Sequence, residues 1–159
     1  MVKEHLISQH YMHGSLLETI VDGLKSLGRT TQTVSIDDLA PIDEFHMGGR
    51  QATRHFLSQH RINSANHVLD IGCGLGGSAR FAASTLGCSV VGIDLTADYI
   101  TVGTEINRWL GLDDKIVLRT GSALQLPCDN EAFDRAFMLH VGMNIADKVK
   151  LASEAFRVL

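Results

Sequence analysis

The chain has 159 residues, 45% hydrophobic and 20% charged, which suits one globular domain and argues against disorder. Fourteen Lys plus Arg against eighteen Asp plus Glu leave a formal charge of −4, so no cationic excess is available to follow a phosphate backbone, and nucleic acid is not an expected partner. Cys73, Cys88 and Cys128 are widely separated and form no CxxC pair, and no run approaches the roughly 18 apolar residues of a membrane span, so a soluble cytoplasmic protein with reduced thiols and no membrane partner is expected.

In chain order, His5, His10 and His13 come first, with Tyr11 among them, but no carboxylate or cysteine completes a ligand set and no metal is expected. Leu16, Leu17, Ile20, Val21, Leu24 and Leu27 recur at helical spacing, and Gly28 follows where a left-handed cap often sits. A loop over 35–41 then leads to a second helix near 51–59, with Ala52, His55 and Phe56 on one side. From His67 the pattern becomes short apolar runs separated by helical segments: VLDI, a helix, VVGID, a helix over 97–110, IVLRT and AFMLH. Alternating strands and helices imply an α/β fold, a doubly wound, Rossmann-like parallel sheet with right-handed crossovers. Thr96 is placed to cap the helix at 97–110 and Gly111 to end it. The last segment, 148–159, again has helical spacing. Pro41 and Pro127 are the only prolines, and no repeat or low-complexity tract marks a linker, so the chain reads as one unit.

The informative stretch is VLDIGCGLGG at 68–77. Glycines directly after a buried strand let the backbone turn sharply and approach a ligand, and the following helix presents its N-terminus there. Gly72, Gly74 and Gly77 formally satisfy the dinucleotide fingerprint GxGxxG, with Asp94 about 20 residues on to hold a ribose. Asp70 separates the possibilities. A carboxylate two residues before the first glycine would repel a pyrophosphate and attract a cation, which suits S-adenosylmethionine, with its ammonium and sulfonium, better than NAD. The alternative is that Asp70 caps the turn by bonding backbone amides. Asp94 ends an apolar strand at the carboxyl edge of the sheet, where a carboxylate can accept two hydroxyl donors at once; a helix cap is again the alternative.

VLDIGCGLGG, VVGIDLT, GSALQLPCDNEAFDRAFMLHVGMNI and a helix ending in RVL together resemble the class I S-adenosylmethionine-dependent methyltransferases, in particular the small-molecule group that includes the sarcosine/dimethylglycine and ubiquinone-type enzymes. The resemblance covers residues 43–159. It implies that Asp70, Gly72, Cys73, Gly74 and Gly76 line the methionine portion of the cofactor, that Asp94 accepts from both ribose hydroxyls and that Leu95 packs on the adenine. Ser122, Ala123 and Leu139 fall at the cofactor as well. The family usually carries an Asp where Ser122 stands, so the adenine contact is expected to be weaker or water-mediated; otherwise Ser122 is a plain turn residue and backbone near Ala123 holds the ring. The resemblance also implies that residues 1–60 form a helical lid over a core at 61–159, with FHMGG at 45–49 nearest the cofactor. Paired glycines fit that close approach and fit an ordinary loop equally.

Methyl transfer from a sulfonium asks mainly for alignment in a dry site. A base matters only where the acceptor must lose a proton, and His140, just past AFML at a strand end, is the candidate; without an orienting partner in view, it could equally fill the cleft wall. Met138, Met143 and Trp109 read as core or cleft wall. Four strands are expected, and the resemblance places the chain's end before a fifth strand, which would leave the fourth as an open edge prone to pairing with a second copy. The expected function is methyl transfer to a small-molecule acceptor, with a cofactor-binding fragment of little turnover as the alternative and an NAD-binding domain behind both.

Overall fold

The structure, a computed structural model, describes residues 16–44 and 46–159. His5, His10, Tyr11, His13 and Phe45 lie outside the described residues. Helix α1, Leu16–Ser26, buries Ile20 and Leu24, one turn apart, and Gly28 follows with φ +70°. Leu27, counted with the buried stripe in sequence, lies past the helix and is exposed.

The segment expected as a loop over 35–41 is instead helix α2, Ile36–Asp43. Ser35 starts it with a capping box, its hydroxyl accepting from Asp38 N while the Asp38 carboxylate accepts from Ser35 N at 2.9 Å. Two of the orphan amides of the first turn are thereby satisfied. Pro41 sits inside, where the ring removes one intrahelical bond, and the helix persists because Leu39 is fully buried, a burial that favours the fold by about 1.5–3 kcal/mol. Helix α3, Gly49–Ser58, begins two residues earlier than expected.

Strands β1 His67–Ile71, β2 Ser89–Asp94 and β3 Ile116–Thr120 are joined by helices α4 Gly77–Leu86 and α5 Ala97–Trp109, a loop leads from β3 to β4 Arg135–Phe137, and helix α6 Lys148–Val158 follows. All pairings are parallel, in the order β3-β2-β1-β4, with Asp70 in register with Gly92 and Phe137. Strand period puts Val68, Val90, Ile116 and Phe137 on one face against α4, and Leu69, Ile71, Val91 and Ile93 on the other against Leu151 and Val158 of α6. Both faces of β1 and β2 are thus covered, as a parallel sheet requires, while Val117 on the edge strand β3 stays 44% exposed. Strand β4 is shorter than AFMLH suggested: it ends at Phe137, and His140 adopts φ +55°.

The N-terminal helices pack onto this core. Ile20, Leu24 and Leu39 share a buried cluster with Val102 and Ile106 of α5. Asp43 pairs with Arg80 of α4, Nε donating at 3.0 Å, with both side chains wholly buried.

Candidate functional site

The carboxyl ends of β1, β2 and β4 open onto a cleft of about 590 Å³, the place where parallel α/β sheets bind ligands. Asp70, Gly72, Cys73, Gly74, Asp94, Leu95, Ala123, Leu139 and His140 line it; Gly76 and Ser122 do not. Gly76 is the N-cap of α4 with φ +88°, and a Cβ there would meet Leu118 Cδ1 at 3.0 Å. Its glycine serves close packing against the core rather than the cleft. Ser122 turns inward on its own loop, where its Oγ accepts from Leu124 N at 3.1 Å.

The turn after β1 is held by β2. Gly72 N and Cys73 N both donate to Ile93 O, at 2.7 and 3.1 Å. Asp94 Oδ2 accepts from Gly74 N and Oδ1 from Thr96 N, each at 2.9 Å. Thr96 stands at the N-cap of α5 as expected, but its hydroxyl makes no cap bond, and Asp94 instead ties the glycine turn to the Thr96 amide. Each carboxylate oxygen still has acceptor capacity toward the cleft. With these amides spoken for, Asp70 is not the cap of the turn.

Asp70 is 1% exposed and its Oδ2 has no hydrogen-bond partner. Burial, followed by the charges of Asp94 and Glu44, pushes its carboxyl from 3.8 up to about 8. A buried, unpartnered acid in a cleft favours its neutral form until a cation or donor arrives. Beside it, burial first and then the Asp70 and Asp94 charges raise the Cys73 thiol well above its ordinary range, so it is an inert wall group rather than a nucleophile.

The opposite wall includes His46, part of the FHMGG stretch expected nearest the cofactor, and residues the sequence did not single out hold it from behind. Glu44, itself buried, accepts from Arg50 Nε at 2.7 Å and from Thr53 Oγ1, and its Oε2 lies 3.0 Å from His46 Nε2. The His46 ring stacks on that of His140, centroids 4.5 Å apart and planes at 16°. Arg50 and Thr53, three apart on one face of α3, were the available signal, since buried polar side chains at helical spacing imply a partner between them. On the same side, a Cβ at Gly72 would fall 2.5 Å from Val141 Cγ1, so only glycine lets the segment carrying His140 approach the turn.

Of the residues read as core or wall, Met138 and Trp109 pack against buried clusters, but Met143 is 78% exposed; it sits in the one-turn 3-10 helix at Gly142–Asn144, beyond the sheet that would cover it. Among the described residues no group of three His, Cys, Asp or Glu could hold a metal, and no helix is long and apolar enough to cross a membrane.

Comparison with known proteins gives one consistent family. A methyltransferase domain family matches residues 68–159. The chain is 27% identical over 122 residues to methyltransferase GfsG of Streptomyces halstedii, covering 77% of this chain and 44% of that protein. It is 29% identical over 119 residues to the glycine/sarcosine/dimethylglycine N-methyltransferase of Actinopolyspora halophila, covering 75% of this chain and 21% of that one. The geranyl diphosphate C-methyltransferase of Streptomyces coelicolor, solved with Mg2+, geranyl-S-thiolodiphosphate and S-adenosyl-L-homocysteine, superposes with a TM-score of 0.63 at 31% identity, over 68% of this chain and 39% of that structure. The chain thus spans less than half the length of each of these relatives.

Proposed function

Because the chain belongs to the methyltransferase domain family, we propose that its cleft binds S-adenosylmethionine and delivers the methyl group to a small-molecule acceptor. The observation that carries this reading is Asp70, a buried carboxyl with an unpartnered oxygen at the lip of the glycine turn. The residues fit the cofactor. Asp70 offers an anionic partner to its ammonium group, Gly72, Cys73 and Gly74 flank the methionine portion, and a Cβ at Gly74 would meet no atom within 4 Å, leaving room for ligand. Asp94 has acceptor capacity for the ribose hydroxyls, and Leu95, Ala123 and Leu139 supply apolar wall for adenine and the methyl end. Gly76 and Ser122 lie outside the residues lining the cleft, so this reading assigns them no contact with the cofactor.

When bound, the cofactor supplies a methyl group activated by a sulfonium leaving group. The chain's own task is then to hold the acceptor in line, exclude water and, where the acceptor carries a proton, take it up; His140 is assigned that last role. A homodimer through the free edge of β4 belongs to the same proposal, supported by β1 being its one sheet neighbour among the described residues. A cytoplasmic setting is supported by three free cysteines. The alternative, a cofactor-binding unit with little turnover of its own, draws on the chain spanning 44% of the GfsG relative.

Titration calorimetry tests the assignment. S-adenosylmethionine should bind, and NADH should bind at least about tenfold more weakly, because a diphosphate beside Asp70 and Asp94 meets like charge. Tighter binding of NADH would overturn the reading. Radiolabelled methyl transfer to a panel of amines, phenols and quinols then separates an active enzyme from a cofactor-binding unit.

A further inference from the structure

His140 stands in the cleft wall with φ +55°, a left-handed conformation that strains a non-glycine residue and that collects at functional sites. Its imidazole makes no hydrogen bond among the described residues. The ring is held by a stack instead. His46 lies parallel to it at 4.5 Å, and His46 is pinned in turn, its Nε2 3.0 Å from Glu44 Oε2 and 3.2 Å from Thr53 Oγ1. Glu44 is fixed by Arg50 Nε at 2.7 Å, and Arg50 reaches back to Ile36 O at 3.3 Å and Asp37 Oδ1 at 3.4 Å. An unbroken line of contacts therefore runs from α2 and α3 to the face of the His140 ring. Stacking has a consequence that a hydrogen bond would not: it fixes the plane of an imidazole while leaving both nitrogens open along the ring edge.

Resting on the methyl-transfer reading above, we infer that His46, clamped by Glu44, is the positioning residue for His140, and that the acceptor is either a hydroxyl, whose proton leaves as the methyl arrives, or an ammonium group, whose proton must leave first to free the nitrogen lone pair. The acceptor atom bonds to the methyl carbon while the carbon–sulfur bond breaks, its electron pair staying on sulfur. The acceptor's proton passes to a ring nitrogen of His140, which becomes an imidazolium. An acceptor that already carries a lone pair and no proton would have no use for this device.

The test compares H46A with H46F, which keeps an aromatic face but no link to Glu44, and with H140N, all in the 159-residue chain. Proton NMR of the His140 ring reports the stack directly. Its signals, shifted upfield by the neighbouring ring in the wild type, should move toward those of a free histidine in H46A and stay shifted in H46F. Identical His140 signals in wild type and H46A overturn the inference, whether or not a probe acceptor is methylated. With 4-methylphenol as probe, kcat should fall about ten- to a hundredfold in H46A, as expected for a misplaced catalytic group, and H46F, which stacks without the Glu44 clamp, should recover only part of the loss. With 4-nitrophenol, largely ionised in mildly alkaline buffer, the loss should be much smaller; equal losses on both phenols would mark a structural effect and count against the proposal. If H140N transfers as fast as wild type, the assignment of His140 itself fails. If H140N is slow while H46A is unimpaired, the methyl-transfer reading stands and the positioning role alone falls.

Discussion

Asp70 concentrates the physics of the site in one side chain. Its carboxyl titrates at about 8 in the folded chain, chiefly through burial, against 3.8 for an ordinary Asp. A group whose folded value is raised contributes its full stability below the unfolded value and loses it as pH rises through the folded one. The ligand-free chain should therefore become steadily less stable between about pH 4 and pH 8 on account of this residue. Thermal melts across that window should show D70N flatter than wild type and more stable at the alkaline end. The same variant should bind S-adenosylmethionine more weakly, by about 1.5–3 kcal/mol, the worth of a hydrogen bond to a charged group. A D70N chain that binds the cofactor as well as wild type does would refute the ligand-facing role. Stability and binding move in opposite directions here because the site keeps an unsatisfied acid ready for a cation.

At the level of elements, the join between α2 and α4 matters most for the shape of the cleft. Asp43 and Arg80 form an ion pair with no exposure on either side, and Arg80 Nη1 also donates to Asn107 Oδ1 of α5 at 2.8 Å. The backbones are nearly in contact as well, since a Cβ on Gly77 would lie 2.3 Å from Asp43 O. Asp43 and His46 both line the cleft, so this pair sets where the histidine wall stands. Removing one partner leaves a dry, uncompensated charge. Urea unfolding of D43A should show a loss of about 3–5 kcal/mol, and D43L/R80M should regain much of it because an apolar pair carries no such penalty. If D43A unfolds like wild type, the join is not what holds α2 in place. Ser35 and Asp38 spell a helix start that the loop reading over 35–41 overlooked, and the burial of Leu39 holds the helix despite Pro41.

On the scale of the molecule, both edge strands of the described sheet are unpaired on one side, β4 beyond β1 and β3 beyond β2, and α6 turns Val149 and Phe156, each 83% exposed, toward solvent two turns apart. An unpaired strand edge and an exposed apolar stripe are each templates for self-association. Sedimentation equilibrium should find a concentration-dependent dimer, and F156E should shift it toward monomer; a chain that stays monomeric at high micromolar concentration would remove the proposed homodimer.

Much of this architecture was legible in one dimension, because it is written in local periodicity. Runs such as VVGID announce a buried strand and IVLRT an edge strand with one buried face, their alternation with helical segments implies a parallel sheet, and Asp70 near the end of β1 and Asp94 at the end of β2 fall beside the glycine turn by spacing alone. Whether a side chain then faces ligand or core was not legible. Gly76 turned out to pack against Leu118, Ser122 to serve its own loop, and Thr96 to hold the N-cap position without a side-chain bond while Asp94 braces the glycine turn. The contacts that give His140 a fixed ring, through His46, Glu44 and Thr53, join segments distant in sequence, and Arg80 finds Asp43 the same way. Periodicity records which face of an element is apolar; which polar groups share one dry space depends on how those faces are stacked, and only the assembled chain decides that.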